Sequence, residues 1–216
     1  MLVNDQKTQI LCISGHTQNE MRSYIRTPGG QKIVSQDSLK QLGFLFGNRP
    51  TVEAYLLGMY RKFRKRLWIL RNLKKADVPA QDLVALYKVF LLSVIDYGSV
   101  VYHSMLSGEQ NKKIDHLQRT ALQIIFGNKL SYRKLLEISG LPMVSERRMA
   151  LLDRFILKAA ASEKYKESWF PRKTFYHQDL RKELIYEEKF AKTDRFYNAP
   201  IYFYRQRLNE IGTPTD

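Results

Sequence analysis

The chain has 216 residues, of which 44% are apolar, so its length and composition fit one domain or one and a half and exclude disorder throughout. The formal net charge is +15 at pH 7, with basic residues all along the chain. This charge indicates a polyanionic partner, and it favours nucleic acid over an anionic membrane surface.

Cysteine and histidine usage limits the possible chemistry. The single cysteine, Cys12, excludes an intramolecular disulfide and a multi-cysteine zinc site, and the four histidines lack metal-ligand spacing. The first apolar run is too short for a signal peptide, and the most apolar window is interrupted by two charges, which does not fit a bilayer span. We therefore predict an intracellular protein, in the nucleus or cytoplasm, with no membrane partner.

The first 48 residues predict three or four strands with little helix. An apolar run at 9–13 predicts a buried strand, and residues 22–33 predict a hairpin because Pro and paired Gly supply the turn. Residues 38–47 predict one further strand. A sheet this small would leave an edge and an apolar face uncovered, so we expect that something normally precedes Met1.

Helical periodicity begins after residue 50. Thr51 is a suitable N-cap, and Glu53 in the first turn suits the helix dipole. The next helix is predicted from Pro79 to about residue 104, and it is apolar nearly all round, which indicates a buried central helix. The apolar stripe of the first helix consists of Leu56, Tyr60, Phe63, Leu67 and Leu70.

Three more helices follow, and then an aromatic and basic tail. The third helix is predicted at 112–126, with buried positions at Ile114, Leu117, Leu122, Ile125 and Phe126, and a short one at 132–138. Ser145 is expected to cap a helix of about 18 residues. The tail predicts one helix near 179–192 and little core of its own.

The strongest local signal is the basic run at 61–75, which holds eight basic residues and no acid. On a helix, Arg61, Lys65, Trp68 and Asn72 share a face opposite the apolar stripe. Basic side chains neutralise phosphates, and an indole offers a stacking surface. A solvated charged face with Trp68 packed against a neighbour, or a nuclear localisation signal, would give the same pattern. The predicted nucleic-acid contacts are Arg61, Lys62, Arg64, Lys65, Arg66, Trp68, Arg71, Lys74 and Lys75.

Catalytic chemistry is poorly supported by the sequence. Asp96 lies in an apolar helix and needs a partner. A structural ion pair, or a hydrogen bond to Tyr97 or Ser99, is favoured over an acid–base pair with His103. No Asp-Asp pair occurs anywhere, so the chain lacks the closely spaced carboxylates that hold two divalent ions. We predict no complete active site and no metal or cofactor in this chain.

Several short motifs follow one another in a set order along nearly the whole chain. They are Leu2-Val3-Asn4-Asp5-Gln6-Lys7-Thr8, Leu39-Lys40-Gln41-Leu42-Gly43-Phe44, Leu86-Tyr87-Lys88 with Asp96-Tyr97-Gly98, Leu117-Gln118-Arg119-Thr120-Ala121-Leu122, and Arg195-Phe196-Tyr197-Asn198-Ala199-Pro200. In this order they resemble the downstream part of the reverse transcriptase of a non-LTR retrotransposon of the Jockey-like, LINE type.

The resemblance assigns a fold and roles. It implies an α+β chain in which 1–48 is the end of a polymerase palm with antiparallel strands, 49–166 is a helical thumb-like domain, and 167–216 is a basic aromatic tail. Lys7 would lie near the leaving pyrophosphate as a possible acid, with an ordinary surface ion pair as the alternative. The primer-holding strand would contain Lys40, Leu42 and Gly43.

The sequence departs from the family in one decisive way. The family's Mg²⁺-binding aspartates and its fingers lie upstream of the first motif, and neither is present. We therefore expect a truncated RNA-directed DNA polymerase with no activity of its own. Its expected partners are RNA, DNA or an RNA–DNA hybrid, bound through phosphates, and the missing palm and fingers. The alternatives are a co-opted nucleic-acid-binding protein, a non-functional pseudogene product and, more distantly, a helix on an anionic membrane surface.

Overall fold

A computed structural model describes residues 4, 7–12, 24–47, 52–173, 184–188 and 190–212. The chain divides into two compact units, Met1–Tyr60, called here the N-terminal unit, and Arg61–Asp216, called the helical unit. The described residues are mostly helical, with short antiparallel strands near the N-terminus. This architecture agrees with the predicted α+β class.

The first predicted hairpin is confirmed. Strand β1 (Tyr24–Arg26) pairs antiparallel with β2 (Lys32–Val34). The Thr27 amide donates to the Gln31 carbonyl at 3.0 Å, and the Gly30 amide donates to the Thr27 carbonyl at 2.9 Å. The turn residues read from the sequence therefore reverse the chain where expected.

The second hairpin replaces a predicted single strand. Strand β3 (Ser38–Gln41) pairs antiparallel with β4 (Phe44–Gly47), so the prediction of one strand over 38–47 was wrong. The chain reverses at Leu42, with φ 49°, and Gly43, with φ 84°. Two successive positive φ values are the pattern of a tight hairpin turn, which glycine adopts freely and leucine rarely does.

The run at 9–13 is not a continuous strand in its described part. Leu11 forms an isolated parallel bridge with Gln36, whose amide donates to the Ile10 carbonyl at 2.9 Å. The predicted strand is thus reduced to one bridge, because no neighbouring described segment continues the ladder. Residue 13 and the predicted cap at Thr51 lie outside the described residues.

Helix α1 (Glu53–Lys75) carries the predicted apolar stripe. Its residues have high helix propensity, and its terminal charges, Glu53 at the start and Lys74 and Lys75 at the end, suit the helix dipole. Tyr60 is half-buried, and the other four predicted positions are buried. The division between the two units falls inside this helix, after Tyr60. The fully or nearly fully buried residues of α1 are Leu56, Met59, Phe63, Leu67 and Leu70.

The predicted central helix is broken. A turn at Tyr97 and Gly98 interrupts it, and Gly98 has φ 65°, a left-handed conformation that ends one helix before the next begins. The prediction of one helix to about residue 104 was therefore wrong in its second half. The segments are α2 (Ala80–Leu86), a π-helical segment (Tyr87–Leu91), α3 (Leu92–Asp96), α4 (Ser99–Tyr102) and a 3-10 turn (His103–Met105).

Among the described residues, no single helix is both long enough and apolar enough to cross a membrane. The helical stretches Ala80–Asp96 and Ser99–Met105, bent by 45° at their junction, meet the requirement together by length and composition only.

The next three helices agree closely with the sequence. Helix α5 (Gly108–Phe126) begins with a capping box, in which the Gln110 amide donates to Ser107 Oγ at 3.2 Å and the Ser107 amide donates to Gln110 Oε1 at 2.9 Å. Helix α6 (Tyr132–Ser139) ends at Gly140, with φ 62°. The predicted buried positions Ile114, Leu117, Leu122 and Ile125 are buried, and Phe126 is half-buried.

Helix α7 (Val144–Ala160) begins two residues earlier than predicted. Ser145 lies inside the helix and is not its cap. The Met143 amide at the helix start instead donates to Glu146 Oε2 at 3.2 Å. The Glu146 side chain therefore caps the start of α7.

The C-terminal region differs most from its prediction. Its described part 184–188 is not helical, and Tyr186 forms an isolated bridge with Arg172, so no helix over 179–192 is observed there. The helices are α8 (Glu163–Trp169), α9 (Asp194–Tyr197) and α10 (Pro200–Ile211). Helices α7 and α10 form a core with Phe170 and Tyr186, contrary to the expectation of little core. That core contains Leu152, Ile156, Ala159, Phe170, Tyr186, Tyr204 and Leu208.

Candidate nucleic-acid interface

The basic run of α1 lies on the solvent side of the helix. Because the apolar stripe is buried, the remaining positions of the helix face outward. Seven of the eight basic side chains are exposed, and Asn72 is half-buried. The exposed ones are Arg61, Lys62, Arg64, Lys65, Arg71, Lys74 and Lys75.

Trp68 lies in the middle of this surface and is 64% exposed. Among the described residues it has no aromatic or cation–π contact, so the alternative of Trp68 packed against a neighbour is not observed. The other tryptophan behaves differently. Trp169 is half-buried, with its ring centroid 4.5 Å from that of Tyr165. Trp68 is therefore the more exposed of the two tryptophans.

Arg66 differs from the other basic residues of the run. It is half-buried, and its guanidinium carbon lies 4.3 Å from the centre of the Phe90 ring. Its Nη1 donates to the Phe90 carbonyl and lies 3.4 Å from Ser93 Oγ. These contacts hold α1 against the π-helical segment and α3, and they leave fewer Arg66 donors for a phosphate.

The predicted primer-strand residues lie together on the β3–β4 hairpin of the N-terminal unit. Lys40, Leu42 and Gly43 are all exposed, Leu42 to 81%. The hairpin packs within its own unit through Phe44, whose ring stacks on that of Tyr55 at 4.3 Å with an interplanar angle of 6°. The structure thus presents these three residues at one turn.

Lys7 is exposed and lies in a local turn. Its amide donates to the Asn4 carbonyl at 3.1 Å and to Asn4 Oδ1 at 3.2 Å. These bonds tie the Lys7 amide to Asn4. They do not bear on the possible role of the ammonium group as an acid, which stays a prediction.

Asp96 has the structural partner that the sequence called for. Arg147 on α7 binds it in a bidentate manner, with Nε 3.0 Å and Nη2 2.8 Å from Asp96 Oδ2. The hydrogen bond to Asp96 raises the pKa of Arg147. This ion pair is one of the two favoured alternatives, and it uses the carboxylate that an acid–base pair with His103 would need.

A buried polar cluster around Arg148 was missed by sequence reasoning. Arg148 is fully buried, and its Nη2 donates to Asn111 Oδ1 at 2.6 Å. Nearby, burial and the positive charges of Arg148 and Arg207 together lower the pKa of His103 to about 4, although Asp153 opposes the shift. Periodicity could have revealed that Arg148 is buried, because it lies in the apolar stripe of α7, four residues after Val144 and four before Leu152.

Gln118 is a second buried polar residue with a structural role. Its Nε2 donates to the Pro142 carbonyl at 3.0 Å, and its Oε1 accepts from Tyr132 Oη at 2.6 Å and from the Val144 amide at 3.0 Å. One side chain of α5 therefore ties together α6, the following loop and the start of α7. The sequence motif that contains Gln118 did not predict this structural role.

Metal chemistry finds no support in the described part of the chain. It contains no group of three or more His, Cys, Asp or Glu side chains arranged to hold a metal ion. Comparison with protein-family models, with curated proteins and with solved structures finds no match to this chain.

Proposed function

We propose that this chain is the downstream part of a non-LTR retrotransposon reverse transcriptase, and that it binds nucleic acid through phosphate contacts on the outer face of α1. The observation that carries the proposal is the separation of the two faces of α1. Its apolar stripe is buried, while seven basic side chains between residues 61 and 75 are exposed. The order of the family motifs supports the same origin.

The binding mechanism is electrostatic and independent of base sequence. Each Lys or Arg that neutralises a phosphate releases a condensed counterion, so the affinity falls steeply as salt rises. Such contacts fix the position of the strand but carry no sequence information. In the proposed role, the basic face of α1 holds the backbone of an RNA–DNA hybrid, of RNA or of DNA. The exposed Lys40 on the β3–β4 hairpin would add a primer-strand contact.

The experiment is a salt titration of binding to an RNA–DNA hybrid. The test variant carries Arg61→Gln, Arg64→Gln and Lys65→Gln, and Arg66 is left intact because it packs inside the protein. The matched control removes three exposed charges from elsewhere, by Lys113→Gln, Arg119→Gln and Lys129→Gln. We expect the test variant to lose affinity and about one unit of salt slope per lost contact. Equal losses in both variants would contradict the assignment to α1.

The chain alone is proposed to have no polymerase activity. It contains no Asp-Asp pair, whereas phosphoryl transfer by two metal ions needs closely spaced carboxylates. We expect no primer extension by the purified chain with a template, nucleotides and magnesium. Extension that persists through repeated purification would contradict this proposal.

A second candidate is a co-opted, stand-alone nucleic-acid-binding protein. It is favoured by the compact division of the chain, because the helical unit contains its own core, which the C-terminal α10 completes. The two candidates predict different effects of adding an upstream palm and fingers segment from a related element. A truncated enzyme would gain hybrid affinity from that segment, and a co-opted binder would not.

A further inference from the structure

An exposed indole in the middle of a cationic helix face is the feature that phosphate binding leaves unexplained. Trp68 has basic residues three and four positions before it, Lys65 and Arg64, and three positions after it, Arg71. Positions separated by three or four residues are neighbours on a helix surface. All three basic side chains are exposed, so the indole lies within a ring of solvated cations.

Phosphate contacts alone would leave the indole of Trp68 exposed to water. A lone exposed apolar residue is ordinary on a protein surface, but a large aromatic side chain contributes binding energy only when something covers its face. The faces of Trp68 carry no aromatic or cation–π contact from the described residues. The occupant must therefore supply both negative charge for the basic side chains and a flat apolar surface for the indole.

Nucleic acid with unpaired bases meets both requirements. In a closed duplex the base faces are stacked on one another, so a helix on the outside reaches only the backbone and the base edges. An unpaired base exposes its face and stacks on an aromatic side chain, while the cationic surface follows the backbone. A protein partner could also cover the indole, but the run at 61–75 holds eight basic residues and no acid, which favours a polyanion.

We infer that the outer face of α1 binds nucleic-acid segments with unpaired bases in preference to closed duplex, with Trp68 as the stacking platform and Arg61, Arg64, Lys65 and Arg71 as the backbone contacts. This inference rests on the proposed function, because it concerns the same surface. The basic run from residue 61 to residue 75 is about 21 Å long at 1.5 Å per residue, so a short oligonucleotide is enough to cover it.

The test uses the full chain with Trp169→Phe, which leaves Trp68 as the only tryptophan. A single strand and a blunt duplex with equal numbers of phosphates are titrated at several salt concentrations, and Trp68 fluorescence and binding are followed together. We expect the single strand to quench Trp68 and to bind more tightly than the duplex. In this background, Trp68→Ala should weaken single-strand binding by about fivefold or more and leave duplex binding within about twofold.

Ile69→Ala is the matched control, because Ile69 is the neighbouring exposed apolar residue of α1 and adjacent positions on a helix do not face each other. It should change neither affinity. Salt-dependent binding without preference for the single strand, and unaffected by Trp68→Ala, would overturn the inference and leave the proposed function standing. Absence of salt-dependent binding to both probes would overturn both. If raising the protein concentration alone quenched Trp68 fluorescence, a second copy of the chain would be covering the indole. That result would also overturn the inference.

Discussion

The N-terminal unit and the helical unit differ in how much apolar surface they bury. In the described part of the N-terminal unit, the buried apolar side chains are Val52, just before α1, and Leu56 and Met59 in its first turns. The β1–β2 hairpin leaves Tyr24 and Ile25 about half exposed. An isolated two-stranded hairpin is at best marginally stable in water, so these strands gain little from their own contacts.

The helical unit is stabilised by long-range contacts that close it at the C-terminal end. On α10, Tyr204 Oη donates to the Val100 carbonyl at 2.7 Å, and Arg207 forms an ion pair with Asp153 at 2.8 Å. Asn209 Oδ1 accepts from the Tyr186 amide at 3.0 Å. The hairpins therefore depend on turn residues that are close together in the sequence, whereas the core of the helical unit depends on residues that are far apart in the sequence.

Truncation of the α10 core should have the largest effect. Leu208 is fully buried in the core of the helical unit, so Leu208→Ala should lower the free energy of unfolding by about 2–5 kcal/mol. The controls are Ile211→Ala on the exposed side of α10 and Ile25→Ala on β1, which should each cost less than about 1 kcal/mol. Chemical denaturation followed by circular dichroism measures all three. A loss for Ile25→Ala as large as that for Leu208→Ala would refute the contrast between the units.

Acid should destabilise the helical unit through His103. The folded-state pKa of His103 is lowered to about 4, whereas an unfolded histidine titrates near 6.5, so the unfolded state binds one more proton between these values. Stability should therefore fall as the pH drops from about 6.5 to about 4, by at most about 3 kcal/mol from this group. Denaturation of the wild type and His103→Gln at pH 7 and pH 5 tests this. Parallel pH profiles for the two proteins would contradict it.

The Asp96–Arg147 ion pair should contribute a smaller amount. Its side chains are 19% and 39% exposed, so the pair lies between a surface bridge and a buried one. A double-mutant cycle with Asp96→Asn and Arg147→Gln should give a coupling energy of about 1–2 kcal/mol. The exposed Lys112–Glu109 pair of α5 is the comparison, and its coupling should stay below about 0.5 kcal/mol. Equal couplings would mean that partial burial adds nothing at Asp96.

The sequence predicted best those features that depend on neighbouring residues. The Pro28-Gly29-Gly30 turn and the buried stripe of α1 both follow from local rules. The break at Tyr97 and Gly98 was missed because a single glycine inside an apolar run does not by itself end a helix. The core role of α10 was missed because an aromatic and basic segment reveals its buried face only beside its partners.

The same contrast between local and long-range features applies to the candidate interface. The exposure of the basic run could be read from the periodicity of α1, because the apolar stripe fixes which positions face solvent. The contact of Arg66 with Phe90 could not, because it depends on where the π-helical segment lies against α1. Arg148 was hidden for a related reason. A buried arginine looks like a surface residue until its acceptor, here Asn111 on another helix, is known.

The smallest expected effect concerns the strained turn of the β3–β4 hairpin. Leu42 has φ 49° and Gly43 has φ 84°, a pair of conformations for which Asn-Gly is the preferred sequence. Because asparagine tolerates the left-handed region better than leucine, Leu42→Asn should stabilise the hairpin by about 0.5–1 kcal/mol. Hydrogen exchange of the β3 and β4 amides measures this locally, with Lys40→Gln as a control that leaves the turn unchanged. If these amides exchanged as fast in Leu42→Asn as in the wild type, strain in the turn would not limit the stability of the hairpin. Its marginal stability would then come from its lack of buried surface alone.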